Sequence, residues 1–70
     1  MRKQIELNEK DKIFLREFAE NNMVLTDTAK ALGVTGGSLQ HRLIKIHAML
    51  GLNPRRFYDL VMLLDMINGN

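Results

Sequence analysis

The stretch TDTAKALGVTGGSLQHRL, residues 26–43, decides the fold because it holds a helix end, a turn and a helix start in succession. Gly33 can adopt the positive φ angle that closes a helix, and Thr35 is a favourable N-cap for the next one. The small Ala29 allows the two helices to cross closely, and we expect Val34 and Leu39 to fill the space between them. Two helices joined by a turn of three or four residues that contains glycine form a helix-turn-helix, although any helical hairpin could share this pattern.

The helix after the turn has one apolar stripe and one small, polar face. We expect it to run from its cap at Thr35 to about Leu50, with Gly51 just beyond its end. At the helical repeat of about 100° per residue, the inward stripe consists of Leu39, Leu43, Ile46 and Leu50. The outward face consists of Gly37, Ser38, His41, Lys45 and Ala48, with Arg42 on its flank.

Two helices are predicted before the turn. The first follows Asn8, a good N-cap, and runs to about Asn21. The second begins at Thr26 or Asp27 and ends at the turn. Ahead of both, Ile5 and Leu7 alternate with polar residues, which leaves a short extended N-terminal arm over residues 1–7 as an alternative to helix.

A fourth helix is predicted from a cap at Asn53, with Pro54 in the first helical position, to about Ile67. Its inward face consists of Phe57, Leu60, Val61, Leu64 and Ile67, and a second apolar patch on its other side consists of Met62, Leu63 and Met66. Because an exposed apolar patch usually marks a contact, we predict a homodimer. A marginal helix end with flexible methionines is the alternative. The predicted interface residues are Phe57, Val61, Met62, Leu63 and Met66.

Length and composition are those of an ordinary globular protein. The 70 residues are 46% apolar and 26% charged, and this length predicts one domain over residues 1–70. With the four helices above, the predicted fold is all-α. Cysteine is absent, so no disulfide or thiolate metal site can stabilise the chain. No apolar run reaches the roughly 18 residues of a membrane span, and no signal peptide is recognised. We expect a cytoplasmic, nucleoid-associated protein without a membrane partner.

The net charge of +2 conceals an uneven distribution. Residues 1–27 hold five basic and six acidic side chains, whereas residues 28–58 hold five basic ones and no acid. The five are Lys30, Arg42, Lys45, Arg55 and Arg56. An acid-free basic segment is typical of a protein that binds phosphates, and double-stranded DNA is the partner that a helix-turn-helix predicts.

Eight residues within 22–52 also fit the pattern of a known family. They are Ala29, Leu32, Val34, Leu39, Arg42, Leu43, Ile46 and Gly51. On these residues the segment resembles the C-terminal helix-turn-helix of PucR-type transcription regulators, which is broadly similar to the Fis-type domain. The resemblance implies a bacterial or phage DNA-binding regulator. Gly36 and Gly37 depart from the polar pair of that family. The resemblance covers only the helix-turn-helix and not the sensory region that normally precedes it, so it implies no effector.

We predict that the helix after the turn enters the major groove and holds the DNA backbone more than it reads bases. Glycines at its start permit close approach and expose amides that favour phosphate, but they forgo base contacts. The predicted DNA-binding residues are Lys30, Thr35, Gly36, Gly37, Ser38, Gln40, His41, Arg42 and Lys45. The alternative function is a protein-interaction module, such as an anti-regulator, that keeps the fold without binding DNA.

No catalytic, cofactor or metal site is predicted. The chain offers no Ser-His-Asp set, and VTGGS lacks the Gly-Lys-Ser/Thr ending of a phosphate-binding loop. His41 and His47 are six residues apart and fall on different helix faces, so they are expected to be surface residues rather than metal ligands. We therefore expect no enzyme activity.

Overall fold

A computed structural model describes residues 7–68, and this part of the chain contains four α-helices and no strand. The helices are α1 (Glu9–Glu20), α2 (Leu25–Leu32), α3 (Gly36–Leu50) and α4 (Phe57–Asn68). Helix α1 packs against α2 and α4, and α2 packs against α3. The predicted all-α fold of four helices is confirmed. The predicted N-terminal arm, residues 1–7, lies outside the described residues except for Leu7, which packs against the core without regular structure.

The core is built from one apolar face of each helix. Its buried members are Phe14, Leu15, Phe18, Ala29, Leu39, Leu43, Ile46, Leu60 and Leu63. The rings of Phe14 and Phe18 stack with their centroids 5.4 Å apart. The predicted inward stripe of α3 is confirmed, since three of its members are buried and Leu50 is half-buried against the same core. This burial fixes which face of α3 points to solvent.

The turn between α2 and α3 has the predicted form. Gly33 has φ 70° and ψ 34°, which is the left-handed conformation that glycine adopts without steric cost. The amide of Val34 donates to the carbonyl of Ala29 over 3.0 Å and so closes the end of α2. The Thr35 hydroxyl accepts from the amide of Ser38 at 3.1 Å, as an N-cap does. At the far end of α3, Gly51 is also left-handed, with φ 74°.

Two details of α2 differ from the sequence prediction. The helix begins at Leu25, one or two residues earlier than predicted, because Asn22 and Met23 both take positive φ and bring the chain into α2 directly after Val24. The side chain of Val34 is exposed and does not fill the space between the helices. The turn holds the amide of Val34 against the end of α2, while the side chain of Val34 lies in solvent.

Helix α4 begins at Phe57, three residues later than predicted, because Asn53 caps a tight turn rather than a helix. Its carbonyl accepts from the amide of Arg56 at 2.9 Å and its side-chain oxygen accepts from the amide of Arg55 at 3.0 Å. Pro54 occupies the second position of this turn, where its fixed φ is also favoured. A carboxylate oxygen of Asp59 accepts from the Asn53 amide at 2.9 Å and fastens the turn to α4.

The apolar faces of α4 are also corrected. Leu63 is 0% exposed and belongs to the core, not to an outer patch, because it lies one turn from Leu60 and shares its face. Conversely, Phe57 and Val61 are exposed rather than turned inward. Leu64 and Ile67 complete the inward face as half-buried residues packed on the core.

Candidate nucleic-acid interface

A shallow groove of about 620 Å³ runs along the first half of α3. It is lined by Thr35, Gly37, Ser38, His41, Arg42 and Lys45. Six of the nine residues predicted to bind DNA therefore lie together in the structure, on the side of α3 that the buried stripe leaves to solvent. The lining contains two basic side chains, Arg42 and Lys45, and no carboxylate. Such a surface attracts polyanions.

The start of α3 adds a further favourable field for anions. No acidic residue lies in its first turn, and the first amides of a helix have no partner within the helix. Gly36 and Gly37 follow the Thr35 cap directly, and a Cβ atom added at either glycine would meet nothing within 4 Å. The helix start is thus open to solvent and carries the positive end of the helix dipole.

Arg42 also has a structural role, which the sequence did not indicate. One terminal nitrogen of its guanidinium lies 2.8 Å from a carboxylate oxygen of Asp11 on α1, in an ion pair of which Asp11 is 1% exposed and Arg42 25% exposed. The same Asp11 completes a capping box with Asn8 at the start of α1. Arg42 therefore fastens α3 to α1 while it also lines the groove, and Asp11 neutralises part of its charge. The two residues are 31 apart, so the sequence indicated the Asn8 cap but not the ion pair.

The other three predicted residues do not line the groove. Gly36 lies at the first position of α3, and Lys30 is exposed in the last turn of α2. Gln40 lies on the flank of α3 opposite Arg42, where its side-chain oxygen accepts from Arg55 at 3.3 Å. This contact ties the turn before α4 to α3. It places Arg55 beside the predicted interface, although Arg55 was not among the predicted DNA-binding residues.

Two large exposed side chains were also missed in the sequence. Ile44 is 60% exposed and lies on the outward face of α3, where it follows Gly37 by seven residues and His41 by three. Tyr58 is 79% exposed and precedes Met62 by one helical turn on α4. The helical repeat would have found both, since i, i+4 and i+7 positions share a face. The outer surface of α4 thus carries Tyr58, Met62 and Met66 beside the exposed Asp65, with Phe57 and Val61 on its flank. We call the five apolar or aromatic residues the α4 patch.

Within residues 7–68, no cluster of three or more His, Cys, Asp or Glu side chains is arranged to hold a metal ion. None of the four described helices combines the length and the apolar character that crossing a membrane requires. His41 and His47 are both exposed, in agreement with their prediction as surface residues.

A helix-turn-helix whose second helix presents a basic, carboxylate-free face is the form of a DNA-binding domain. A family model described as the PucR C-terminal helix-turn-helix domain matches residues 14–64, which reach from α1 into α4. The chain therefore belongs to this family of DNA-binding regulator domains, whose members are typically not enzymes. The resemblance drawn from residues 22–52 is confirmed. No curated protein and no solved structure matches the chain.

Proposed function

We propose that this protein is a transcription regulator that binds double-stranded DNA as a single domain by placing the start of α3 in the major groove. The observation that carries the proposal is the groove along α3, where a free helix start, Arg42 and Lys45 meet without a carboxylate in the lining. Phosphate contacts supply most of the affinity of DNA-binding proteins. In a bacterial cell, we expect it to act on the nucleoid in the cytoplasm.

The contacts are proposed to be dominated by the DNA backbone. The first amides of α3 and the ammonium group of Lys45 would bind phosphates, because Gly36 and Gly37 add no side chain that could hold the helix away from the DNA. Among the polar side chains of the groove, only Ser38 and His41 would reach base edges, and neither makes the strong bidentate pairs. We expect preference for a specific site over random DNA at or below about 10³-fold, the low end for regulators.

We further propose a twofold dimer through the α4 patch. Five exposed apolar or aromatic side chains on one helix are costly in water and are typical of a subunit interface. A symmetric dimer would place two copies of α3 about 34 Å apart, which is one turn of DNA. The site would then be a pair of similar half-sites.

A titration of random-sequence duplex DNA at two salt concentrations tests the DNA-binding proposal. The unmodified protein should bind more weakly at the higher salt, because binding releases counterions from the DNA. Lys45→Ala should weaken binding and reduce the slope of log affinity against log salt by about one unit. Arg16→Ala is the matched control, because Arg16 lies on α1 and contacts Asn68 at the end of α4. An unchanged slope for Lys45→Ala would show that Lys45 does not contact a phosphate.

A protein-interaction module is the second candidate function. The observation in its favour is the α4 patch, together with the lack of side chains at Gly36 and Gly37 where DNA-reading residues are usual. The same titration separates the two functions, since a module of this kind would show no salt-dependent DNA binding. A partner that binds through the α4 patch would then be sought instead.

A further inference from the structure

Ile44 is the most exposed large apolar side chain of α3, and it lies on the outward face of the helix. It is 60% exposed, although the structure buries Leu43 and Ile46 on either side of it in sequence. At the helical repeat, its neighbours on this face are Gly37, His41 and Ala48. Neither the ion pair with α1 nor the core requires an isoleucine at this position.

The face around Ile44 is suited to nucleic acid rather than to an apolar protein partner. His41 and Lys45 lie on the side of Ile44 that faces the groove, and α3 contains no carboxylate along its whole length from Gly36 to Leu50. The major groove of DNA offers one apolar group at its base edges, the C5-methyl of thymine. We propose that Ile44 contacts thymine methyl groups, so that the protein prefers sites with thymine at a fixed place in each half-site. This inference rests on the proposed docking of α3 in the major groove.

The glycines make this contact sterically available. Gly37 lies on the same line of the helix surface seven residues earlier, about 10 Å along the axis at a rise of 1.5 Å per residue. It has no side chain, and the space around it is open. With nothing bulky at the helix start, α3 can approach the floor of the groove until Ile44 meets the bases. Ile44 would then recognise an apolar group of the bases, whereas related domains have polar side chains at the start of this helix.

The test compares two random-sequence duplex pools that are alike except that one carries deoxyuridine in place of every thymidine. Uracil lacks only the methyl group, so phosphate charge and base hydrogen bonds are unchanged. We expect the unmodified protein to bind the uracil pool about fourfold more weakly for each thymine methyl that Ile44 touches. Ile44→Ala should bind both pools equally. Ile13→Ala, which shortens another exposed isoleucine on α1, should retain the preference for the thymine pool.

Each outcome has a distinct meaning. Equal binding of the two pools by the unmodified protein overturns the inference and leaves the proposed DNA binding intact. A preference for thymine that persists in Ile44→Ala also overturns it, because the preference would then arise from DNA stiffness or from another residue. Failure to bind either pool at low salt refutes the proposed function itself. In the favourable case, replacing thymidines one at a time in a selected site locates the contact.

Discussion

Helices α3 and α4 are built alike on the inside and differ on the outside. Each buries a stripe of leucine and isoleucine against the same core. The outward face of α3 begins with glycines and continues with small, polar or basic side chains around Ile44, whereas the outward face of α4 carries Tyr58, Met62 and Met66. The first surface is suited to a charged, hydrated partner and the second to an apolar one.

This difference separates the residues that determine the fold from those that are free to contact a partner. The inward stripes would hold the four helices together with many different outward residues, because burial of apolar area provides most of the stabilisation. The outward residues contribute little to the core and are therefore free to specify contacts. We assign the face of α3 to DNA and that of α4 to a second copy of the chain.

Met62→Glu should produce the largest change, because it places an unpaired charge in the proposed dimer interface. Burying such a charge costs several kcal/mol, and the protein should become monomeric. Sedimentation or light scattering should show the halved mass, and DNA affinity should fall because a monomer engages only one half-site. Since Met62 is exposed in the single chain, the helical content should be unchanged.

Ile13→Glu is the matched control for this change, because it adds the same charge at an exposed apolar position of α1 outside the α4 patch. It should leave the mass of the particle unchanged. A stable monomer for the unmodified chain at high concentration would contradict the assignment of α4 to a second copy.

Asp11→Ala should destabilise the fold by about 2–3 kcal/mol, less than for a fully buried pair because Arg42 is partly exposed and can be solvated. The change removes the ion pair that seats α3 on α1 and one half of the capping box of α1. Urea unfolding followed by circular dichroism measures the difference. For comparison, Asp27→Ala removes an exposed acid from the first turn of α2 and should cost no more than about 1 kcal/mol. Equal destabilisation by the two changes would mean that the ion pair between Asp11 and Arg42 does not stabilise the packing of α3 on α1.

Gly37→Ala should have the smallest effect and the opposite sign. The backbone of Gly37 is helical and a Cβ atom there meets nothing, so alanine should stabilise the fold by up to about 1 kcal/mol. Gly33→Ala is the contrasting change, since its positive φ of 70° strains any side chain and should cost about 1–2 kcal/mol. Thermal unfolding of both variants measures whether each change stabilises or destabilises the fold. A stabilising Gly33→Ala would show that the turn is not held in the left-handed conformation.

The sequence predicted best where local chemistry alone decides the structure. The Thr35 cap, the left-handed Gly33 and Gly51, and the buried stripe of α3 each depend on a few neighbouring residues, and all were found in the structure. The predicted start of α4 was wrong because Asn53 and Pro54 are favoured both in a turn and at a helix start. The contact with Asp59 fastens the turn, so a local pattern could not decide between them.

The candidate site was predictable in part for the same reason. The outward face of α3 follows from its inward stripe, and the groove gathers most of the predicted residues. The ion pair between Asp11 and Arg42 joins positions 31 residues apart, and its existence depends on how α1 packs near α3. The placement of Leu63 in the core likewise depends on the rotation of α4 about its axis, which α1 determines by packing against it.

The central claim is that α3, not α4, forms the surface that meets DNA. The most direct measurement is the change in backbone amide resonances when short duplex DNA is added to the isotopically labelled protein. We predict that the largest changes occur at Gly36, Gly37, Ser38, His41 and Lys45, with little change in the α4 patch. If the largest changes lie in the α4 patch, or if excess DNA at low salt moves no resonance of α3, the claim is contradicted.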